Sequence, residues 1–572
     1  MQSNSNRESK KKIALTLGLT FLAGASCLAV AVIAAPKTSA QLQSMVDLLS
    51  GGPSWKREFD AALKAKRSGI NGQDAIIQKC LETAKSQITN PADMLTLYRD
   101  YAYLLYDANE WQKAEIQMQK AIDCAPPHLE KGEYMALLVL NIYYDRGYEK
   151  YKRYESTRKG DPGIDDLKKS IALSDEHFGT DEPDRFYKTG VLAVMLQQTG
   201  KMAEGDELMA QSMAAIPKYA KLTQQPATLY KDKACSEINH KQPLEGLKWL
   251  LKARKTSTTE RNPYGHMRDF LRTFRYNYQE PKTQASVAGD LLASKDYTKL
   301  DALGETCLKQ WHSYPDGDDD INRFYKSLLG QTTREGQESD AGYKAKIEAL
   351  QQWLKANPKS LHAKVALASL YKQYAWFGRG SGFADTVTSD GFDAFDERLA
   401  KAASLLDSVP NIIDKNPQAA TIYSAVYLNH WPGQQEYYNF LDRVHKHWPE
   451  YKQIDSAAEI ALLQRWHGDE GEVEKFVEER SNQIAKDKGA IAGDEMYAYL
   501  TYHHNFEENK FTPGKAIYDW QRAKRGWESL ISSNPQFFED RFCFYWMALS
   551  AEESDEEIIR VFGDTSKLLQ HS

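Results

Sequence analysis

The segment from Tyr98 to Pro126 constrains the fold of this chain more than any other part: YRDYAYLLYDANEWQKAEIQMQKAIDCAP. Its apolar residues follow the spacing of two helices joined by a short turn. Ala102 and Ala114 predict a close contact between these helices, and Leu105 and Met118 would fill the groove beside them. One such hairpin cannot bury its own apolar face, so it requires similar neighbours. The sequence therefore predicts a helical-repeat protein.

This spacing resembles the tetratricopeptide repeat, a helix-turn-helix unit. The matching positions are Tyr98, Tyr101, Ala102, Leu105, Ala114, Met118, Ala121 and Pro126. The same register returns at Leu192, Ala193, Leu196, Gly205, Met209, Ser212 and Pro217, and more weakly at Ala234, Gly246, Leu250 and Ala253. About three units are the minimum for a self-supporting stack. The resemblance covers residues 95–255, and we expect less regular helices at 54–93 and 130–175.

Beyond about residue 285 this register disappears, although the chain still has helical periodicity. Three Asn-Pro pairs follow apolar stretches, at Asn357-Pro358, Asn416-Pro417 and Asn534-Pro535. Because proline cannot continue a helix, each pair predicts a helix end. Runs of alternating β-branched residues are nearly absent, so we expect no substantial sheet.

Residues 285–568 resemble a bacterial domain-of-unknown-function family of helical-repeat proteins with a Tyr-Ala-Trp and Arg-Gly-x-Gly motif. The first matching motif is Tyr374, Ala375, Trp376, Arg379, Gly380 and Gly382, with Val387 beyond it. The others are Trp466, Gly468 and Gly471, then Asp519, Trp520, Arg522 and Gly526. His467 stands where the family pattern has glycine. The family has no established activity, so the resemblance implies a helical fold and little chemistry.

The N-terminal segment predicts export. Residues 1–12 are polar and basic, and residues 13–35 are 23 residues without a charge. About 20 apolar residues span a bilayer, which favours a transmembrane anchor. Small residues at 38–40 offer a cleavage site, so a cleaved signal peptide is an alternative, and lipidation at Cys27 is another. In each case we expect the chain beyond about residue 40 to lie outside the cytoplasm, at a bacterial inner membrane.

The charge and cysteine content narrow the classes of partner. A formal net charge of −6 gives no basic field, so we expect no nucleic-acid partner. The cysteines after Cys27 are scattered singly, which favours isolated buried thiols, although one disulfide remains possible.

No catalytic or metal-binding set is evident. The GRGSG loop at 378–382 lacks dinucleotide and P-loop spacing, so it predicts a helix end at which Arg379 pairs with a carboxylate of the next helix. An anion or aromatic ligand site at Trp376 and Arg379 is the alternative. The aspartates at 316–320 predict helix capping. The sequence His-Trp-Pro occurs at 430–432 and again at 447–449, which predicts two helix ends, and the histidines at 503–504 predict packed residues. We expect no cofactor and no metal.

The predicted architecture is all-α: a tetratricopeptide-like α-α superhelix preceded by one N-terminal transmembrane or signal helix. Its parts are a cytoplasmic basic tail at 1–12, the anchor or signal at 13–35, helical repeats at 54–285 and a helical domain of uncharacterised family at 286–568.

The predicted function is a non-catalytic scaffold with a groove for a peptide or a partner helix. Tyrosine and arginine are frequent binding anchors. The residues expected to line the groove are Arg99, Tyr103, Tyr106, Lys231 and Asn239. Two alternatives remain: an enzyme or small-ligand receptor with a site around Trp376 and Arg379, and a self-associating assembly protein.

Overall fold

The fold is all-helical, as predicted. The computed structural model describes residues 54–67, 73–108, 110–130, 133–219, 225–256, 263–278, 284–310, 314, 318–329, 340–380, 387–507 and 519–563. These ranges hold α-helices and one 3₁₀ helix, and they contain no β-strand. No helix within them is long and apolar enough to cross a membrane. The predicted segments at 1–12 and 13–35 lie outside the described residues.

Backbone contacts divide the chain into two units, residues 1–94 and residues 95–572. In the first unit, α1 (Ser54–Arg67) packs against α2 (Gln73–Gln87). Nε1 of Trp55 donates a hydrogen bond to Oε1 of Gln87 at 2.7 Å. Helix α3 (Pro91–Asp107) begins in this unit and continues into the second.

The second unit starts with an array of helical hairpins. After α3 come α4 (Trp111–Asp123), α5 (Tyr134–Thr157), α6 (Ile164–His177), α7 (Pro183–Gln198), α8 (Met202–Tyr219), α9 (Gln225–Asn239), α10 (Pro243–Thr256) and α11 (Pro263–Asn277). The second and third predicted hairpins are present as the helix pairs α7 with α8 and α9 with α10, and α5 with α6 forms another pair within the expected 130–175 stretch. Ala102, Leu105, Ala114 and Met118 are buried between helices, as their spacing predicts. Pro217, which the repeat register places at a helix end, lies inside α8.

Two glycines explain how closely the hairpin helices approach each other. A Cβ atom on Gly205 of α8 would lie 2.6 Å from the backbone oxygen of Ala193 on α7. A Cβ atom on Gly246 of α10 would lie 2.9 Å from the oxygen of Ala234 on α9. Any larger residue would push the helices apart, so glycine at these positions sets the hairpin geometry.

A second array follows the 3₁₀ helix at Gln284–Val287. Its helices are α12 (Ala288–Ala293), α13 (Tyr297–Gln310), α14 (Asp320–Leu329), α15 (Asp340–Ala356), α16 (Leu361–Arg379), α17 (Ser389–Asp407), α18 (Ile412–Lys415), α19 (Gln418–Asn429), α20 (Gln434–His447), α21 (Lys452–Ala461), α22 (Glu472–Lys488), α23 (Ala490–Glu507), α24 (Trp520–Ser533), α25 (Glu539–Ser550) and α26 (Asp555–Phe562). Asn357, Asn416 and Asn534 each follow the last residue of a helix, as predicted.

The two arrays share one apolar core. A single cluster of buried side chains extends from Ala234 on α9 to Phe562 on α26. Phe274 of α11 lies with its ring centroid 4.9 Å from that of Phe538 and 5.4 Å from that of Phe542. Helix α10 also packs against α26. The boundary expected at residue 285 therefore falls within a continuous core.

Candidate functional site

The first candidate site is a partly exposed surface on α3 and α5. We call it the open face and define it as Arg99, Tyr103, Asp145, Glu149 and Lys152. The Tyr103 hydroxyl is hydrogen-bonded to the carboxylate of Asp145, which joins the two helices. Burial and the nearby Asp145 carboxylate both raise the pKa of Tyr103, so the phenol stays protonated at neutral pH. Each side chain of the open face remains partly accessible.

Tyr106 is placed differently from the other groove residues expected on α3. Its side chain is only 6% exposed. The ring packs edge-on against Trp111 of α4, with 5.1 Å between the ring centroids. Tyr106 therefore stabilises the hairpin and does not line an accessible groove.

A buried cation lies beside the open face. Lys188 of α7 is 3% exposed, and within the described residues its Nζ atom has no hydrogen-bond partner. Burial lowers the pKa of Lys188, while the carboxylates of Asp184, Glu182 and Asp145 act in the opposite direction. A buried donor without an acceptor is unusual in a folded protein. Because the Nζ atom has no exposed surface, it does not form part of the accessible open face.

Further along the same face, the charged residues are buried and paired. We call this group the inner clasp and define it as Glu155, Lys231, Asp232, Asp269 and Arg272. Nζ of Lys231 lies 2.6 Å from Asp232 Oδ1 and 3.2 Å from Asp269 Oδ2. Nε of Arg272 donates to Glu155, and its Nη2 lies 3.2 Å from Asp269 Oδ1. Lys231 is 4% exposed. It is therefore buried, whereas the sequence predicts that it lines an accessible groove.

Neutral side chains complete the hydrogen bonding of the clasp. The Glu155 carboxylate accepts from Tyr151 at 2.7 Å, from Gln198 at 2.7 Å and from Thr273 at 3.0 Å. Tyr148 donates to Asp269 at 3.1 Å. A buried charge is stable only when it is paired and hydrogen-bonded, and Glu155 meets both requirements.

Ionisation within the clasp is uneven. Burial opposes ionisation of Asp269, but the cations Lys231 and Arg272 hold its pKa below the ordinary value. Burial raises the pKa of Asp232 to about 6, despite the adjacent Lys231. Within the described residues, Oδ2 of Asp232 has no hydrogen-bond partner, which is consistent with a carboxylate that ionises reluctantly.

The contacts of the inner clasp explain why this face of the array is accessible at the open face and buried at the inner clasp. Asp269 and Arg272 lie on α11, and they reach Tyr148 and Glu155 on α5. Helix α11 therefore packs back against α5, and it also packs against α9. Asn239 of α9 belongs to the same closed region, because its Nδ2 donates to Gln197 at 3.2 Å and its Oδ1 accepts from Asn277 at 2.7 Å.

The second candidate site is the carboxyl end of α16. The helix ends at Arg379, and Gly380 follows with φ of +78°, as the glycine-rich loop predicts. The Arg379 guanidinium carbon lies 5.4 Å from the ring centroids of both Trp376 and Trp466. A cation close to two indole rings is stabilised by their electron-rich faces. Gly382 lies outside the described residues.

Two arginines lie at this helix end. Nη1 of Arg379 donates to the oxygen of Gly380 at 3.2 Å, and the pairing of Arg379 with a carboxylate of the next helix stays a prediction. Arg398 of α17 contacts α16. Its Nη1 donates to the oxygen of Tyr374 at 2.6 Å, and its guanidinium carbon lies 3.4 Å from the Tyr374 ring centroid.

Two motifs that are distant in sequence meet at this site. The Trp376 and Trp466 rings pack at right angles with centroids 6.0 Å apart. The neighbouring His467 ring stacks on Trp431 at 4.3 Å, and its Nε2 lies 2.8 Å from the oxygen of Leu428. The imidazole that replaces the expected glycine thus has a packing role.

The third motif serves packing in another part of the second array. Asp519 caps α24 by accepting a hydrogen bond from the Arg522 backbone at 3.1 Å. Nε1 of Trp520 donates to Glu553 at 2.9 Å. A Cβ atom on Gly526 would lie 2.1 Å from the oxygen of Asp494, so this glycine permits close contact between α24 and α23.

The aspartates at the start of α14 form hydrogen bonds with neighbouring residues of the chain. Oδ1 of Asp319 accepts from the Asn322 backbone at 2.7 Å, which caps the helix as predicted. Asp320 accepts from the Tyr314 hydroxyl at 2.8 Å. In the described part of the chain, no group of three or more His, Cys, Asp or Glu side chains is placed to hold a metal ion. Cys80, Cys235 and Cys307 are buried thiols.

Sequence reasoning did not identify Glu155, Asp269 or Arg272. The available signal was weak: each is a charged residue near aromatic residues on a helix, a pattern that a solvent-exposed face also produces. Glu155 and Arg272 are 117 positions apart, and no local pattern indicates that their helices meet.

No curated protein matches this chain. One family model matches residues 285–406, which include Trp376 and Arg379 but not Trp466 or Trp520. The expected domain-of-unknown-function family is confirmed over this range, while the wider resemblance to residue 568 stays a prediction. Residues 285–406 thus correspond to the family described as a domain of unknown function, DUF4034.

Proposed function

We propose that this protein is a non-catalytic scaffold that binds a protein or peptide partner on the open face of a tetratricopeptide-type array. The observation that carries the proposal is the partial exposure of tyrosine, arginine and carboxylate side chains on adjoining helices. Arg99 and Tyr103 lie on α3, and Glu149 and Lys152 lie on α5. Of these, tyrosine and arginine are the side chains that often supply much of the binding energy at protein interfaces.

The open face is suited to binding because helix packing already fixes it. The hydrogen bond between Tyr103 and Asp145 orients both side chains before a partner arrives. A preformed surface reduces the entropy that a partner loses on binding.

The proposed location is the outer side of a bacterial inner membrane. This part of the proposal rests on the basic residues before position 13 and the uncharged run at 13–35, which precede the described residues. Mass spectrometry of the mature N-terminus distinguishes an anchor from a cleaved signal peptide. A mature chain that begins at Met1 and remains in the cytoplasm would contradict export.

The binding proposal is tested by crosslinking and affinity capture with the full chain. We expect the wild-type protein to recover a stoichiometric partner from its source cells. The double variant Arg99→Ala/Tyr103→Ala should lose that partner while it keeps the helical circular dichroism of the wild type. A wild-type bait that remains monomeric and without a partner contradicts the scaffold function.

The matched control is Tyr134→Ala/Arg443→Ala. It removes the same two residue types from surface positions outside the open face, since Tyr134 is 66% exposed and the Arg443 side chain is 46% exposed. This control should capture the partner as the wild type does. Equal capture by both double variants would place the binding surface elsewhere.

A second candidate function is a small-ligand receptor at Trp376 and Arg379. It is favoured by the two indole rings that flank one guanidinium group within contact distance. Arg379→Ala should leave partner capture unchanged if the scaffold proposal holds. Loss of binding to a ligand from the source cells, in a folded Arg379→Ala protein, would favour the receptor.

A further inference from the structure

A cleft of about 670 Å³ opens among the last helices of the second array. Its lining residues come from α23, α24, α25 and α26 and include Ile491, Arg525, Glu528, Ile531, Arg541 and Arg560. The volume falls within the range of roughly 300–1,000 Å³ that small-molecule sites occupy. Neither the open face nor the Trp376 and Arg379 site contributes to this cleft.

The cleft combines an apolar wall with an apolar residue at its edge. Ile531 and Val561 are each 6% exposed and form part of the wall. Ile491, in the first turn of α23, is 49% exposed, although isoleucine gains free energy by leaving water. An apolar group between these side chains would cover surface that is now in contact with water.

The charged residues of the cleft are mainly cationic. Among the described residues, three arginines line it, and Glu528 is the one carboxylate in the lining. Arg525 and Arg560 are both more than half exposed, whereas Arg541 is buried. Carboxylates that contact Arg525 and Arg560 offset their charge, so an anion would be recognised through the guanidinium N–H groups that remain unbonded.

Carboxylates in and beside the cleft hold two of these arginines in place. Nε of Arg525 donates to Asp494 at 2.8 Å, and within the described residues this is its one hydrogen bond. Nε of Arg560 donates to Glu557 at 2.7 Å, while its Nη2 reaches Glu557 and Glu528. The Nη atoms of Arg525 thus remain as donors on an oriented guanidinium.

Arg541, the buried arginine of the lining, is held by two backbone oxygens. Its Nη1 donates to the backbone oxygen of Phe537 at 2.7 Å, and its Nε donates to that of Phe562 at 2.9 Å. These bonds join α25 to the end of α26, so the buried positive charge keeps a fixed position. The apolar wall and the arginines are therefore held by separate contacts.

We propose that this cleft binds a small organic carboxylate with an apolar body. The planar guanidinium of Arg525 matches a carboxylate through two parallel hydrogen bonds, and the partly exposed Arg560 lines the same cleft. The apolar body lies against Ile491, Ile531 and Val561. This site is independent of the proposed scaffold function, since it shares no residue with the open face.

Calorimetric titration of the full-length protein with octanoate tests the proposal. We expect saturable binding that Arg525→Ala/Arg560→Ala weakens by at least about tenfold, because both cationic contacts are lost. Arg443→Ala is the matched control: it removes a partly exposed arginine that is paired with Asp414 away from the cleft, and it should bind octanoate as the wild type does. No binding at millimolar octanoate, or equal loss in the control, overturns the proposal.

A second variant separates the apolar contact from the charge. Ile491→Ser changes an exposed residue, so it should leave the fold intact while it weakens octanoate binding by several-fold. Neutral octanamide should bind at least about tenfold more weakly than octanoate to the wild type. Equal affinity for octanamide, or equal affinity for inorganic phosphate, contradicts an apolar carboxylate as the ligand.

A shortened chain tests whether the protein itself occupies the cleft. Gly563 lines the cleft, and the chain continues from it through residues 564–572. Under the proposal, the full chain and a chain that ends at Gly563 bind octanoate with similar affinity. Binding to the shortened chain alone would mean that the protein fills its own cleft, and the proposal would fail.

Discussion

The open face and the inner clasp lie on neighbouring helices of the first array and use similar residues, yet their environments are opposite. Tyr103, Glu149 and Lys152 remain partly accessible on the open face. In the clasp, Glu155 and Lys231 are each 4% exposed and fully engaged with other side chains. The difference arises from one helix, α11, which packs against α5 at the clasp.

This comparison shows that residue type at a helix position does not by itself distinguish a binding anchor from an internal contact. A tyrosine bonded to a carboxylate occurs in both regions: Tyr103 with Asp145 across two helices, and Tyr151 with Glu155 one turn apart on a single helix. Their role depends on whether another helix of the same chain packs against them. The following predictions test that distinction.

The largest effect on stability is expected when a charge of the inner clasp is removed. Glu155→Gln would leave Arg272 buried without its main counter-charge, and breaking a buried ion pair in this way costs about 3–5 kcal/mol. Chemical denaturation followed by circular dichroism should show a correspondingly lower midpoint. Glu149→Gln on the same helix is the control, because its pair with Lys152 is partly exposed and its loss should cost no more than about 1 kcal/mol. Similar midpoints for both variants would remove the distinction between the regions.

A pH-dependent effect is expected at Asp232. Because burial raises its folded pKa from 3.8 to about 6, ionising this carboxylate costs folding free energy at neutral pH. The wild type should lose stability relative to Asp232→Asn by about 1.4 kcal/mol per pH unit as pH rises from about 4 to about 6, and the difference should be constant above that range. Denaturation of both proteins across this series measures it. A difference that does not vary with pH would show that the carboxylate ionises normally.

A smaller effect on stability is expected at Arg379, whose guanidinium lies close to two aromatic rings. Arg379→Ala removes two cation–π contacts at a partly exposed position, so the free energy of unfolding should fall by about 1 kcal/mol. Arg379→Lys should restore part of this loss, because lysine keeps the charge but lacks the planar group that stacks on indole. Thermal unfolding of the three proteins measures the order. Equal stability of the alanine and wild-type proteins would mean that the ring contacts contribute nothing.

The smallest effect on stability is expected on the open face. Arg99 pairs with the adjacent Asp100 at 3.1 Å on the surface, so Arg99→Ala should change the free energy of unfolding by less than about 0.5 kcal/mol. The same variant should weaken binding of the captured partner by about tenfold or more, as expected of an anchor. Denaturation and affinity must be measured on one preparation. A large loss of stability would place Arg99 with the clasp residues.

The sequence predicted the parts of the fold that depend on local spacing. The buried alanines of the first hairpin and the helix ends at Asn357, Asn416 and Asn534 follow from helical periodicity and from proline chemistry. The sequence did not predict the return of α11 to α5, because that contact depends on the accumulated rotation of several hairpins. For the same reason it placed Lys231 on an accessible groove.

The candidate sites were predictable to a similar extent. The Trp376 and Arg379 motif was visible in the sequence, but its contact with Trp466 was not, since 90 positions separate the two tryptophans. The cleft at Arg525 and Arg560 had no sequence signal. Its arginines belong to different helices, and each reads as an ordinary exposed charge in its own segment.

The core shared by the two arrays bears on how this protein could have been assembled by gene recombination. The apolar cluster that covers residues 285–406 begins at Ala234, and α11 contributes Phe270 and Phe274 to it. A gene fragment that starts at residue 285 would encode helices that lack part of their packing surface. The smallest portable piece of this chain therefore begins near α9, and a fusion partner that receives the DUF4034 domain alone would have to supply the missing helix.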